Sequence, residues 1–143
     1  MTVITNHIEL STRGNAEIVD ITPDIEQALD TSGLSDGVLT VFVSGATGGL
    51  TTIEYEPGLV RDLNELWDRI IPSNKTYHHD RAWGDGNGHS HVRASLLGPS
   101  LTIPFCSGTL TLGTWQQVIF IDFDVRPRTR RIVLQFMGER KDV

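Results

Sequence analysis

The last third of the chain is filled with β-like runs, and they constrain the fold more than any other feature. Four runs follow one another between residues 100 and 138, separated by glycine and proline signals: SLTIPFC, TLTLGT, WQQVIFIDFD and RRIVLQFMG. Strands that follow one another without helices between them pair most often as antiparallel neighbours. The sequence therefore predicts a largely antiparallel or mixed sheet in this region.

The first half of the chain mixes strands with helices. TPDIEQALDTSG predicts a helix with Thr22 as the N-cap, Pro23 at the first helical position and Gly33 at its end. Four other segments have the β-branched or apolar character of strands: TVITNHIEL, NAEIVDI, DGVLTVFVSG at 36–45 and TTIEYE at 51–56. The GATGG segment between the last two predicts a turn, which could also lie close to a ligand.

A second helix is predicted over EPGLVRDLNELWDRIIPS, where Pro72 ends it. VRASLLG predicts a shorter helix that is closed by Gly98. Together these elements predict a single α+β domain over residues 1–143, with two or three helices. The apolar residues of the second helix recur at helical spacing and predict a buried stripe: Leu59, Leu63, Leu66, Trp67 and Ile70.

Charge and composition exclude several classes of protein. The formal charge of −6 argues against nucleic acid as the main partner, and we interpret the arginines of RPRTRR at 126–131 as residues of a turn and a strand entrance. No apolar run is long enough to span a membrane, and MTVITNHIEL does not resemble a signal peptide. The single cysteine, Cys106, fits a reducing cytoplasm, and its apolar setting predicts a buried thiol.

The stretch YHHDRAWGDGNGHSH at 77–91 contains four of the five histidines. If the backbone is extended there, His89 and His91 project to one face and can bind one ion, whereas in a helix they point about 200° apart. His78 or His79 then offers a third nitrogen, as in a catalytic zinc site. Asp80 or Asp85 would make a mixed set for other divalent metals. Metal-free acid–base histidines and an ordinary Asp-Gly-Asn-Gly turn are the alternatives.

A phosphate site is the other interpretation of the polar residues. Arg93 lies near the histidines and can pair with a phosphate, or with a surface carboxylate. Ser107 and Thr109 offer hydroxyl groups, although a β-turn also explains them. Glu54 lies at a strand end and Gln116 follows Trp115, which we expect in the core.

Several motifs resemble those of one known family, the YjbQ-like proteins. The resemblance covers nearly the whole chain, and its motifs are Y-x-H at 77–79, D-x-N-x-x-x-H at 85–91, ASLLGPSLTIPF at 94–105 and LGTWQQVIFIDFDVRPRTRR at 112–131. It implies an α+β subunit with a partly open barrel, assembled as a homotrimer with the site near the subunit boundary. The matching site residues are His79, His91, Glu54, Asp85, Asn87 and Gln116.

The activity implied by this resemblance is a secondary thiamine-phosphate synthase reaction, which joins a pyrimidine diphosphate to a thiazole phosphate. This chain departs from the family pattern at three places. Gly45 stands where a histidine is usual, Thr109 where an arginine is usual, and His89 where an acidic residue is usual. If the site binds metal, His89 replaces the missing ligand; if the missing arginine bound phosphate, thiamine-phosphate synthesis is less expected here.

Three functions follow from these observations: a thiamine-phosphate synthase-like transferase, a zinc-assisted hydrolase of a small phosphorylated molecule, and a non-catalytic trimer that binds a metal or an anion. Magnesium suits a pyrophosphate leaving group, and zinc suits nitrogen ligands. The candidate residues fall into three sets: catalytic His79, His91, Glu54 and Gln116; phosphate-binding Arg93, Asn87, Ser107 and Thr109; and metal-binding His79, His89, His91 and Asp85.

Overall fold

The computed structural model describes residues 1–141. It contains eight strands and four helices in the order β1 (Thr2–Thr12), β2 (Glu17–Asp20), α1 (Thr22–Ser32), β3 (Leu34–Val43), β4 (Gly48–Ile53), α2 (Pro57–Ile70), α3 (His78–Trp83), α4 (Gly88–Leu97), β5 (Ser100–Cys106), β6 (Thr109–Leu110), β7 (Gln117–Asp122) and β8 (Arg128–Arg140). Within these residues no helix has both the length and the apolar character needed to cross a membrane.

The strands form two antiparallel sheets that curl into a half-barrel. Five strands are ordered β1-β8-β3-β5-β6 and three are ordered β2-β7-β4. Every pairing is antiparallel. The predicted α+β fold with a largely antiparallel, partly open barrel is therefore confirmed.

Strand β7 lies between two hydrophobic cores, which explains why its sequence is almost continuously apolar. Val118 and Phe120 pack into the larger core with residues of α1, β3 and β8. Ile119 and Ile121 point the other way, into a smaller core with Trp67 of α2. A strand that is buried on both faces cannot alternate apolar and polar residues, and these four side chains are fully buried.

Helix α2 covers the smaller core less completely than its sequence predicts. Trp67 is buried and meets Phe123 edge-on at 5.1 Å between ring centroids. The other members of the predicted apolar stripe are only half-buried, and Ile70 is 49% exposed. The expectation of a fully buried stripe is wrong because the core beneath this helix is small.

Several element boundaries also differ from the sequence prediction. Thr22 is the first helical residue of α1 and not its N-cap, since its hydroxyl bonds to the backbone of Val118 in β7. Gly33 ends this helix in the left-handed conformation, as predicted. Strand β4 begins at Gly48, where a Cβ would lie 2.6 Å from the Phe120 ring. The small residues of GATGG therefore admit close packing as well as a turn.

Two side chains that we expected to be buried are exposed, and the number of helices exceeds the two or three expected. Trp115 is 74% exposed, and Cys106 is an exposed free thiol. Both lie where the predicted strands are interrupted: β6 is only two residues long, and β5 ends at Cys106. The described residues contain four helices, because the His-rich segment forms α3 and extends α4.

A buried polar network joins β7 to β8 at one end of the half-barrel. Asp122 is fully buried and accepts two hydrogen bonds of 2.8 Å from Arg130, which is itself 6% exposed. Thr12 also donates to Asp122, and Arg130 donates to the Thr47 hydroxyl. Asp124 accepts a hydrogen bond from Thr47 and lies 3.8 Å from Arg130. Two carboxylates and one guanidinium therefore share a single buried site.

The outer face of the five-stranded sheet carries few charges. Val3, Met137, Val38 and Pro104 lie in one row across four strands. Val3 is 55% exposed and Met137 is 41% exposed. The next row consists of Thr5, Gln135, Thr40 and Thr102, and the one after it of His7, Val133, Phe42 and Ser100. We call these three rows the outer sheet face.

Candidate functional site

Helix α3 is fixed at both ends by local chemistry. Asp80 accepts hydrogen bonds from the backbone N–H of Tyr77, at 2.9 Å, and from that of Gly88, at 2.8 Å. These two bonds hold the pKa of Asp80 below its usual range. Gly84 ends the helix in the left-handed conformation. Asp80 therefore starts α3 and ties it to the beginning of α4.

Helix α4 begins at Gly88, so His89 and His91 are helical. The expectation that they chelate one ion from an extended segment is wrong, because helical residues two apart point about 200° from each other. Gly88 does not loosen the backbone: a Cβ there would lie 2.6 Å from Cβ of Tyr77. The glycine allows Tyr77 and α4 to approach, and good helix formers (Arg93, Ala94, Leu96 and Leu97) lie in the second half of the helix.

His89 points into the protein. It is 5% exposed, and its ring lies 6.4 Å from the ring of Tyr77. Burial and the nearby Arg93 lower the pKa of His89. Its neighbour Ser90 is fully buried and donates to the carbonyl of Phe123. His89 is therefore buried at the start of α4 and is not part of the group of potential ligands formed by His79, Asp80 and Asp85.

His79 and His91 come together on the other side of α4. Their ring centroids are 4.3 Å apart with a tilt of 36°. Burial and the neighbouring His79 lower the pKa of His91, so this imidazole is neutral at pH 7. A neutral imidazole has a free nitrogen lone pair, which can bind a metal or accept a proton.

His79, Asp80 and Asp85 form a compact cluster of potential ligands. One ligand atom from each lies within 4.8 Å of the other two. Nδ1 of His79 is buried, has no hydrogen-bond partner in residues 1–141, and lies 3.6 Å from Oδ1 of Asp85. The His79 and Asp85 side chains are 30% and 45% exposed, which leaves the cluster open to solvent. We call these three residues the ligand cluster.

Asn87 and Arg93 lie close in sequence to the ligand cluster but have structural partners. The N–H of Asn87 donates to Asp85 at 3.2 Å, while its buried Oδ1 has no partner among residues 1–141. Arg93 is 4% exposed and donates to the carbonyl of Ile71 at 3.0 Å and to Asp68 at 3.4 Å. Burial lowers the pKa of Arg93, and the Asp68 carboxylate opposes that effect. Arg93 therefore joins α4 to the end of α2.

The remaining predicted residues lie on other elements. Gln116 donates to Thr52 and accepts from the N–H of Gly113, and it lines a pocket of about 480 Å³ together with Thr109. Glu54 is exposed just after β4. Ser107 lies in the β5–β6 turn with a positive φ of 52°. Within one subunit the structure brings together His79, Asp85, Asn87 and His91, and it groups Gln116 with Thr109.

Asp124 belongs to the surroundings of the histidines although sequence reasoning did not select it. Its charge raises the pKa of both His89 and His91, against the larger effect of burial. It is 2% exposed. The signal that could have revealed it is a carboxylate inside the apolar run WQQVIFIDFD, because buried carboxylates are rare unless they are paired.

The fold and the candidate site together describe an α+β half-barrel protein with a histidine–aspartate cluster on the short helix α3 and the turn that follows it. The family model described as UPF0047 protein YjbQ-like matches residues 6–139. The chain belongs to this YjbQ-like family, which confirms the resemblance in its sequence.

Relatives and solved structures agree with this assignment. A UPF0047 protein of Archaeoglobus fulgidus is 39% identical over 128 residues, covering 90% of this chain and 97% of the relative. A UPF0047 protein of Methanothermobacter thermautotrophicus is 36% identical over 139 residues, covering 97% of this chain and 95% of the relative. The crystal structure of a Sulfolobus solfataricus protein, described as YbjQ-like and of unknown function, has a TM-score of 0.91 and 30% identity over 96% of this chain and 99% of that one. The crystal structure of a YjbQ/UPF0047 family protein from Clostridium acetobutylicum has a TM-score of 0.84 and 35% identity, and the match covers 92% of this chain and 99% of that one.

Proposed function

We propose that this protein is a metal-dependent hydrolase of a small phosphorylated molecule, with the ion held by His79, Asp80 and Asp85. The observation that carries the proposal is the unpaired, buried Nδ1 of His79 within 3.6 Å of the Asp85 carboxylate. Two ligand atoms that each lie about 2.0–2.1 Å from a tetrahedral ion are about 3.4 Å apart. The observed separation is close to that value without any rearrangement of the backbone.

The type of ligand favours a transition metal over magnesium. Magnesium prefers oxygen ligands in octahedral geometry, whereas imidazole and carboxylate together suit zinc and its neighbours. Asp80 already accepts two backbone hydrogen bonds, which fix the orientation of its carboxylate. A bound ion would polarise a phosphoryl oxygen and lower the pKa of a bound water.

His91 has the properties of the proton acceptor. Its ring lies beside His79, and its lowered pKa keeps it neutral at pH 7. In the proposed hydrolysis, His91 accepts a proton from the attacking water as the water oxygen bonds to phosphorus. The ester P–O bond then breaks, and the leaving oxygen takes up the proton that His91 accepted, which returns His91 to its neutral form.

Thiamine-phosphate synthesis is the second function we consider, and its support is the family pattern together with the pocket beside Gln116. That pocket, of about 480 Å³, has the size of an ordinary small-molecule site. The geometry favours this function less, because Arg93, the expected pyrophosphate ligand, donates instead to Ile71 and Asp68.

Assembly as a homotrimer is part of the proposal. It is supported by the outer sheet face, where Val3, Val38, Phe42 and Met137 are each at least 40% exposed. Val3, Val38 and Met137 lie in one row across three neighbouring strands, and an exposed apolar row of this kind is typical of surfaces that pack against a partner. Light scattering of the purified protein should give three times the mass of one chain, and a monomer would contradict this part. A cytoplasmic location is likewise proposed, on the support of the free thiol of Cys106.

Metal analysis of untagged protein is the first test. We expect about one zinc or similar ion per chain, and we expect His79→Ala and Asp85→Ala to lose it. His78→Ala, which removes the exposed neighbouring histidine of α3, is the matched control and should retain the ion. Retention of the ion by His79→Ala, or no ion bound at micromolar concentration, would contradict the metal site.

Activity assays then separate the three functions. Hydrolysis of p-nitrophenyl phosphate that depends on the metal and is lost in His91→Gln would support the hydrolase. Formation of thiamine phosphate from its two precursors, with no hydrolysis, would replace the hydrolase by the transferase. Metal binding without either activity would indicate that the protein binds a metal but is not an enzyme for either reaction.

A further inference from the structure

A groove lined with arginines lies at the start of β8 and shares no residue with the ligand cluster. Ser44 and residues 126–131 enclose about 530 Å³ of open space. Four of these residues are arginines: Arg126, Arg128, Arg130 and Arg131. We call this space the arginine groove. From the sequence alone, the same arginines are expected at a turn and a strand entrance.

Arg130 is a rigid, buried part of the groove. Its side chain is only 7% exposed, and Asp122 and Thr47 hold its Nε and Nη2 atoms. Nη1 takes part in no hydrogen bond within the described residues 1–141. A Cβ at position 45 would lie 3.1 Å from Nη1, so a larger residue in place of Gly45 would press on this nitrogen. The groove is therefore bordered by a guanidinium that is held in place and has one nitrogen without a partner among residues 1–141.

The charges that face the groove leave it positive. Asp122 and Asp124 neutralise two positive charges, with Arg128 lying 3.5 Å from Asp124. Glu9 lies opposite Arg131 in the β1–β8 pairing. Among the described residues no carboxylate comes within 4.0 Å of Arg126 or Arg131. The groove is therefore positively charged, although the whole chain has a formal charge of −6.

We propose that the arginine groove binds the phosphate or pyrophosphate group of a small molecule, and that it does so without a metal ion. Guanidinium groups bind phosphate oxygens through paired N–H donors, and a donor that is already held in place loses little entropy on binding. In this proposal Nη1 of Arg130 donates to the anion, Arg126 and Arg131 add exposed positive charge, and the Ser44 hydroxyl offers a further donor. The volume exceeds that of a single phosphate and suits a phosphorylated small molecule.

Calorimetric titration with inorganic pyrophosphate tests this proposal. The protein is freed of metal on a chelating resin, so binding is measured independently of the ligand cluster. We expect saturable binding that weakens about tenfold in Arg126→Gln. We expect a similar loss in Gly45→Val, which fills the space beside Nη1 and changes no charge. Arg61→Gln removes an exposed arginine from α2 and should bind like the wild type.

Three results would overturn the proposal. The first is the absence of pyrophosphate binding to a protein with an unchanged circular dichroism spectrum. The second is an equal loss of affinity in Arg61→Gln and Arg126→Gln, which would indicate attraction by overall charge. The third is unchanged binding in Gly45→Val. If single-stranded RNA binds through Arg126 while pyrophosphate does not, the groove serves a nucleic acid and not a small molecule.

Discussion

Replacement of Asp122 by asparagine tests whether the buried network at the end of β7 stabilises the fold as its geometry implies. The carboxylate is fully buried and accepts both hydrogen bonds of a bidentate pair with Arg130. Asparagine keeps the shape but leaves a buried guanidinium with less opposing charge. Removal of one partner from a buried ion pair costs about 3–5 kcal/mol. The free energy of unfolding of a whole domain is about 5–15 kcal/mol.

The expected loss is large enough for ordinary unfolding measurements. About 3–5 kcal/mol corresponds to a fall in Tm of about 10–20 °C for a domain of this length. Urea unfolding followed by circular dichroism should show the same loss with an unchanged m-value. Arg128→Gln is the matched control, because its 3.5 Å contact with Asp124 involves a side chain that is 35% exposed. Such a pair contributes about 1 kcal/mol or less.

The pH dependence provides a second check on the same network. Burial raises the pKa of Asp122, but hydrogen bonds from Arg130, Thr12 and the backbone of Asp124 outweigh it and lower the pKa below 3.8. Because the pKa of Asp122 is lower in the folded protein than in the unfolded chain, its ionised form stabilises the fold at pH values above the unfolded-state pKa. This stabilisation is lost as the pH falls through the folded-state pKa. The stability difference between wild type and Asp122→Asn should therefore narrow below about pH 3.8. A loss below 1 kcal/mol at pH 7, or a difference that grows in acid, would refute the reasoning.

Three further predictions concern single positions. Gly48→Ala places a Cβ 2.6 Å from the Phe120 ring, so we expect a loss of about 1–3 kcal/mol in urea unfolding, and an unchanged midpoint would contradict the packing. His91 should titrate below pH 6.5 in metal-free protein, because burial and the neighbouring His79 disfavour its charged form; an NMR midpoint above 6.5 would contradict this. Cys106 should react with a thiol reagent in the native protein because it is exposed, whereas reaction only after denaturation would show that it is covered.

The architecture was predictable from patterns that do not depend on distant contacts. The apolar runs of β5, β7 and β8 and the capped helix α2 follow from periodicity, proline and glycine alone. The burial of β7 on both faces was also visible, since WQQVIFIDFD contains too few polar residues for a strand with a solvated face. Burial of Trp115 was predicted wrongly, because a large aromatic residue beside an apolar strand carries no local sign that the chain turns away from the core.

The proposed ligand cluster overlaps the predicted metal residues only in part. Of the four residues predicted, His79 and Asp85 belong to the cluster and His91 lies beside His79. The position of His89 depended on Gly88, whose role is to let Tyr77 approach, and this contact is invisible in the sequence. The two groups that Arg93 contacts, Asp68 on α2 and the carbonyl of Ile71 just after it, are likewise far from Arg93 along the chain.

Helix α3 presents two of the proposed ligands yet buries no side chain of its own. It is tied to the rest of the protein by the Asp80 bond to α4 and by the Tyr77 hydroxyl bond to the carbonyl of Pro72. Such a segment opens locally at a free energy well below that of global unfolding. An ion shared by His79 and Asp85 at 100 times its Kd would oppose this opening by about 2.7 kcal/mol. Amide exchange in α3 would then slow about a hundredfold while that of β7 stayed the same, so α3 would report occupancy of the site without any catalytic assay.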